Sequence, residues 1–297
     1  MRLLPAITLT TCALSLVPIA GCAGGTDQQP EWPDVTVVDP SADDLMLPEP
    51  EGDSGGEEEA EADPEPPPPP VRVVAAERSP LEGDSPAIRI LRPRNGATVR
   101  GDSVSLRIRL SNWELQEAPG RHVHVIVDNE PYIAVRDVSS PLNLNELVQE
   151  NLGHELAEGT HVVRVFPSRG HHESVKTDGA FAMVTFDYVS GTEGFELDAD
   201  APLLTYSRPK GCSTTGERLL LDFYLANVEL AEDGHRVHYN IDDAIEGNIA
   251  TWAPHYIENL PARSHTITLS LIDGDGEPVP GPFNETSRVI RVADSCE

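Results

Sequence analysis

Basic residues are scarce. The 297 residues contain 21 Lys and Arg against 50 Asp and Glu, a formal net charge of −29 at pH 7. Without a basic patch or stripe, nucleic acid is excluded as a ligand class. Aromatics make up 5% of the chain, with Trp32, Trp113 and Trp252 as its three tryptophans. Trp32 falls in a low-complexity segment and the other two are expected in the core, so nothing marks a sugar-stacking platform. The four cysteines form no Cys-x-x-Cys, and there is no Gly-x-Ser-x-Gly elbow, phosphate loop or His-Glu-x-x-His. These absences remove the common signatures of hydrolases, nucleotide-binding enzymes, thiol redox proteins and zinc proteases. The chain is therefore expected not to be an enzyme, and no cofactor is implied.

The N-terminus carries the most specific signal. Residues 1–21 read as a signal peptide, with Arg2 as a short basic end followed by LLPAITLTTCALSLVPIAG, an apolar stretch short for a membrane span and interrupted by Pro18. It ends in Ile19-Ala20-Gly21-Cys22, which resembles the lipobox of bacterial lipoproteins. In that family cleavage precedes the cysteine, whose thiol receives a diacylglycerol and whose new amino group is acylated; Cys22 is the matching residue. Ala23 stands where the family's inner-membrane retention signal has Asp. The resemblance thus implies a cell-envelope protein held in the outer membrane by its lipid, facing the periplasm or the surface. Several buried acyl chains, at about 0.8 kcal/mol per methylene, hold firmly.

Residues 22–85 read as a disordered, acidic, Pro-rich tether. EGDSGGEEEAEADPEPPPPP lies at its centre, and Arg72 and Arg78 are its only cations. Such a segment buries too little apolar surface to offset the entropy of ordering. A flexible chain of this length averages about 45 Å end to end, and proline and charge repulsion extend it.

An internal repeat sets the domain count. GDSVSLRIRLSNWEL (residues 101–115) aligns without a gap on GERLLLDFYLANVEL (216–230), GRHVHVIVDN (120–129) on GHRVHYNIDD (234–243), and LAEGTHVVRV (156–165) on LPARSHTITL (260–269). The falling offset gives the first copy about ten extra residues before its third block. Two domains follow, residues 86–190 and 201–297.

Both copies read as β. VSLRIRL, HVHVIV, HVVRVF, LLLDFYL and HTITLSLI are rich in β-branched and aromatic residues and are separated by turn formers. The expected fold class is all-β, two tandem immunoglobulin-like β-sandwich domains after the tether, with a β-barrel as the rival. The one expected helix lies in PLNLNELVQENLGHEL, where Leu144, Leu147, Val148 and Leu152 form a stripe behind an Asn cap. The blocks LLTYSRPKG, LLLDFYLANVEL and PVPGPFNETSR resemble uncharacterised bacterial lipoproteins with immunoglobulin-like modules, and the first copy resembles His-rich periplasmic modules. The resemblance covers most of residues 88–292 and implies fold and location, with no assigned activity.

Strand parity sorts the histidines. Val123, Val125 and Val127 share the core face, so His122 and His124 point the other way, onto an expected solvated face. His161 runs with Val163 and Val165, and His265 with Ile267 and Leu269, so both point inward as buried rings bonded to nearby backbone. Cupins use His-x-His, an acid and a later His inside a barrel, and His122, His124, Asp128 or Glu130, and His161 have that order. Parity puts His161 on the opposite side of the sheet and breaks the set. The surviving metal alternative is a surface site of His122, His124, His171, His172 and Glu173, suited to zinc or copper. Neither metal is expected to be needed for folding.

The expected function is a non-enzymatic binding or scaffolding module with a protein or glycan partner of the envelope. A metal-binding periplasmic protein and a passive spacer are the alternatives. With Cys12 in the signal peptide and Cys22 lipidated, Cys212 and Cys296 remain, near the start and end of the second domain, and a disulfide between them is expected in an oxidising compartment.

Overall fold

Alternating apolar residues in short β-branched runs give seventeen strands and a single helix in the computed structural model, which describes residues 66–189 and 197–296. Cys22, the lipobox and most of the tether lie outside the described residues. The first strand is β1 (Arg72–Ala75). The first sandwich comprises β2 (Ala87–Arg92), β3 (Ala97–Val99), β4 (Ser105–Ser111), β5 (His122–Val127), β6 (Ile133–Val135), β7 (Leu142–Asn143), α1 (Leu144–Leu152), β8 (Gly159–Ser168) and β9 (Ala182–Tyr188). The second comprises β10 (Leu203–Arg208), β11 (Gly211–Thr214), β12 (Leu219–Ala226), β13 (Arg236–Ile241), β14 (Ile245–Ile249), β15 (His255–Glu258), β16 (Ser264–Ile272) and β17 (Glu285–Ala293).

The two copies share one topology. Sheet β2-β4-β7 faces sheet β3-β9-β8-β5-β6 in the first sandwich, and β15-β12-β10 faces β11-β17-β16-β13-β14 in the second. In each, the opening strand breaks at an Arg-Pro pair and its second half crosses to the other sheet. There β3 runs parallel to β9, and β11 runs parallel to β17. This is the immunoglobulin-like arrangement, and it excludes the barrel. Val123, Val125, Val163, Val165 and Phe186 fill the first core; Phe223, Val237, Ile241, Ile267 and Leu269 fill the second.

The extra residues of the first copy include α1. Asn143 caps it by accepting from the Asn145 N–H at 3.1 Å, and Gly153 ends it in the left-handed region at φ 81. Leu144 and Val148 are buried in the first core.

The tether is shorter than the sequence suggested. Arg72–Ala75 is not disordered but pairs antiparallel with β15, extending that sheet to β1-β15-β12-β10. VRVVAA is β-branched and apolar, unlike the acidic run before it, and Val71 and Val73 pack against the second core.

A Cys212–Cys296 disulfide spans Cα atoms 5.6 Å apart. Cys212 lies on β11, which pairs with β17 through Cys212↔Arg291, and Cys296 follows that last strand. The crossing of the opening strand is what brings the two cysteines together.

Candidate functional site

The outer face of β5 and β8 is not solvated. His122, His124 and Ile126 of β5, and Arg164 and Phe166 of β8, are all 0–1% exposed. The parity was correct, but its consequence was not: sheet β10-β12 of the second sandwich covers that face. His238, at the repeat position of His124, has no such cover and stays partly exposed, bonded to Asn248 Oδ1 at 3.0 Å.

The seam is built from aromatic stacks and buried polar pairs. Tyr224 stacks against Phe166 and Phe181, with ring centroids 5.0 Å away in each case, and meets Trp252 edge-on. Lys176 of the first sandwich pairs with Asp222 of the second. Asp222 Oδ2 also accepts from the Ser174 N–H at 3.1 Å, and Lys176 Nζ donates to Ser174 Oγ at 2.7 Å. Arg164 donates to Thr205 Oγ1 at 2.9 Å and to the Asp128 carbonyl, and lies over the Phe283 ring. Lys176 and Asp222 are thus matched across the seam and stay buried without the full cost of desolvation, while Arg164 keeps its Nε without a hydrogen-bond partner.

The histidines separate into three groups. His161 Nδ1 meets Asp128 Oδ2 at 2.8 Å, its Nε2 donates to the Ala157 carbonyl at 2.8 Å, and Asp128 Oδ1 accepts from the Val162 N–H at 2.8 Å. His265 repeats the arrangement with Asp242, Pro261 and Thr266 at 2.6, 2.8 and 2.8 Å. Both rings point inward, as their parity required, and both brace the corner between two strands. Burial alone would lower the His161 pKa, but the Asp128 hydrogen bond and charge raise it instead.

The second group is His171 with Glu173. His171 Nε2 lies 2.9 Å from Glu173 Oε2, and Ser79 donates to the same carboxylate through both N–H and Oγ. Burial would raise the Glu173 pKa; the hydrogen bonds from His171 and Ser79 overcome it and hold the carboxyl at about 2. These two residues therefore fix the loop 169–175 and do not join the other histidines. The five-residue surface metal set is corrected accordingly.

The third group is His122, His124 and His172. One ring nitrogen from each lies within 4.8 Å of those of the other two. His124 Nε2 and His172 Nδ1 are each 3.0 Å from His122 Nε2. His122 Nδ1 bonds the Gly120 carbonyl at 2.9 Å and His124 Nδ1 bonds Ser207 Oγ at 3.2 Å, so both rings are oriented from behind. Tyr132, which sequence reasoning missed, places its hydroxyl 3.0 Å from His172 Nδ1 and stacks on His124 with centroids 3.6 Å apart. Burial pushes all three histidine pKa values down, His172 to about 3, and neighbouring Arg208 and Lys210 push the same way. Burial also raises the Tyr132 phenol to about 12. The three rings are neutral at pH 7.

Beside the seam lies a cleft of about 1030 Å³ where the strap after β1 meets both sandwiches. Arg78, Asp178, Phe181, Asn227, Glu229 and Trp252 line it. Phe181 and Trp252 are half-buried there, and Trp252 is held by a bond from Nε1 to the Phe223 carbonyl at 3.2 Å and by Arg78 over its ring.

No family model and no curated protein matches the chain. Among solved structures, the chain is similar to the fibronectin(III)-like modules of Clostridium thermocellum CbhA. That match has 12% identity, covers 69% of this chain and 94% of that one, and has a TM-score of 0.25. It is also similar to the Bacteroides ovatus mixed-linkage glucan utilization locus SGBP-B in complex with a mixed-linkage heptasaccharide. There the identity is 11%, the coverage 72% and 71%, and the TM-score 0.22. At these scores the likeness carries no argument; the fold rests on the strand order itself.

Proposed function

We propose that the protein is a non-enzymatic binding module of the cell envelope, anchored through lipid on Cys22 and carrying two immunoglobulin-like sandwiches as one head on an acidic tether. The observation that carries this reading is the cleft beside the seam. Its walls belong to two domains, yet the Lys176–Asp222 pair and the Phe166–Tyr224–Phe181 stack fix them against each other. A preorganised cleft loses little on ordering when it binds.

The lining suits an amphipathic chain such as an oligosaccharide. Phe181 and Trp252 offer ring surface to its C–H faces, while Asp178, Asn227, Glu229 and Arg78 offer partners to its hydroxyls. Titrating the full-length chain with envelope and environmental oligosaccharides while following tryptophan emission tests this, with Trp252→Ala as the control that loses the response. If no saccharide changes the emission and cross-linking in intact cells captures a protein at the cleft, the partner is a protein. If neither occurs, the head is a spacer. Anchoring is tested separately: Cys22→Ser should move the protein from the detergent phase to the aqueous phase, and a variant that stays in detergent would refute the lipid anchor.

A further inference from the structure

We infer that His122, His124 and His172 form a site for one transition-metal ion, zinc or copper, in the seam between the sandwiches. The inference is independent of what fills the cleft.

The hydrogen-bond inventory of the cluster carries it. A neutral imidazole has one N–H and one lone pair. The Gly120 carbonyl, 2.9 Å from His122 Nδ1, is an acceptor only, so the proton of His122 sits on Nδ1 and its Nε2 is a lone pair. That single lone pair faces two nitrogens at 3.0 Å, His124 Nε2 and His172 Nδ1. It can accept one N–H. If His124 supplies that proton, His172 Nδ1 accepts from the Tyr132 hydroxyl and confronts His122 lone pair to lone pair. If His172 supplies it, the confrontation moves to His124. Neutral tautomers therefore leave one acceptor too many, in a place where His122 and His124 are both 0% exposed and water cannot relieve it.

One added cation resolves the conflict. An extra proton would leave an imidazolium buried beside two fixed cations, since Arg208 and Lys210 both lie over the Tyr132 ring that stacks on His124. A metal ion accepts all three lone pairs at once. Tetrahedral zinc with bonds of about 2.0–2.1 Å sets its nitrogens roughly 3.3 Å apart; the two separations at His122 Nε2 are 3.0 Å and the three ligand atoms lie within 4.8 Å of one another, so closing the third pair completes the set. Two of the three rings are oriented from behind, His122 by Gly120 and His124 by Ser207, in the manner of outer partners that fix ligand tautomers. Three imidazoles suit zinc and copper over the oxygen-seeking ions.

The cationic surroundings define the rest of the site. Arg136, Arg208 and Lys210 repel a bare divalent ion, so the fourth ligand must be an anion. A small anion drawn by the same cations supplies it, with the Tyr132 hydroxyl, 3.0 Å from His172 Nδ1, placed to donate to that anion. The half-buried His172 gives the ion its entry, and its loop is pinned by the Glu173 carboxylate to Ser79 and His171.

Equilibrium dialysis of the full-length, untagged chain against zinc and against copper, with metal read by mass spectrometry, tests the site. One equivalent should bind. His172→Ala should weaken binding by at least about tenfold, as even outer-partner substitutions do at metal sites, while His238→Ala, at the uncovered repeat position of the second sandwich, should leave it unchanged. No retention of either metal, retention unaltered in His172→Ala, or equal loss in His238→Ala would each overturn the assignment. Should His172→Ala fail to fold, the cobalt(II) spectrum of the wild-type chain decides. Intense tetrahedral bands support the site, and weak octahedral bands or none refute it.

Discussion

Lys176 and Asp222 form an ion pair whose side chains are 1% and 0% exposed, and each belongs to a different sandwich. Removing one partner leaves the other charge buried alone, which costs about 3–5 kcal/mol. Lys176→Met and Asp222→Leu should each lower stability by that order in urea titration. The double variant should be less destabilised than either single one, because no bare charge remains. It should not return to wild type, since the Ser174 N–H loses its acceptor. A double variant as weak as the sum of the two singles would show that the pair acts through something other than mutual neutralisation.

Acid should loosen the seam. In the unfolded chain His122, His124 and His172 titrate near 6.5, while in the fold burial holds all three lower. As pH falls below 6.5 the unfolded state takes up protons that the folded state refuses, so stability drops, by roughly 1.4 kcal/mol per pH unit for each proton. His161 acts in the opposite sense. Its raised pKa gives stability that is present below 6.5 and lost as pH rises through the folded value. His255 is lowered by burial as well, and four groups against one make the net effect acid lability. Thermal melts in chelator from pH 8 to pH 5 should show the melting temperature falling below pH 6.5, with a shallower fall in His124→Gln. Below pH 4.5, Glu173, held at about 2, adds a further loss.

The fold was legible in the sequence to the extent that one sandwich determines it. The repeat blocks place β4 over β12, β5 over β13 and β8 over β16, and the period-two pattern put His161 and His265 inside correctly. Contacts between the sandwiches were not legible, because parity tells which face of a strand a residue takes and not what covers that face. A signal was present all the same. LLLDFYL is apolar at six of its seven residues, and HVHVIV and HVVRVF carry apolar residues at both parities, as strands buried on both faces do. Taken with that, His124, Arg164 and Asp222 are polar residues inside doubly buried strands, which need partners from elsewhere in the chain. Tyr132 sits outside every repeat block, so its place beside the histidines could not be inferred.

The disulfide closes the second sandwich against its own last strand. Cys212 and Cys296 are separated by 84 residues, and cross-linking a loop of that length lowers the entropy of the unfolded chain by an amount worth about 4 kcal/mol in the chain-entropy model. Unreduced protein exported to an oxidising compartment should lack free thiols at these two positions by mass spectrometry. Cys212→Ser with Cys296→Ser should lower the denaturation midpoint of the second sandwich. An unchanged midpoint would mean that β11 and β17 hold together equally well in the unfolded reference state.

The strap formed by β1 should contribute to stability although it precedes both repeats. It pairs with β15 over four residues, from Arg72↔Glu258 to Ala75↔His255, and covers an edge that would otherwise expose unpaired backbone. Along it, Val73 turns toward the second core while Val74 is 36% exposed on the other side. Beyond it, the Asn259 side chain donates to the Pro70 carbonyl at 2.9 Å, and Ser79 reaches the Glu173 loop. Val73→Asp places a charge against apolar side chains and should cost about 1–3 kcal/mol, whereas Val74→Asp should fall within about 0.5 kcal/mol of wild type. Hydrogen exchange on the full-length chain should report protection at Val74 and Ala76, whose N–H groups point into the β15 ladder, in the wild type and its loss in Val73→Asp. If both substitutions prove equally mild and the strand exchanges freely, β1 belongs to the tether after all and the folded head begins at β2.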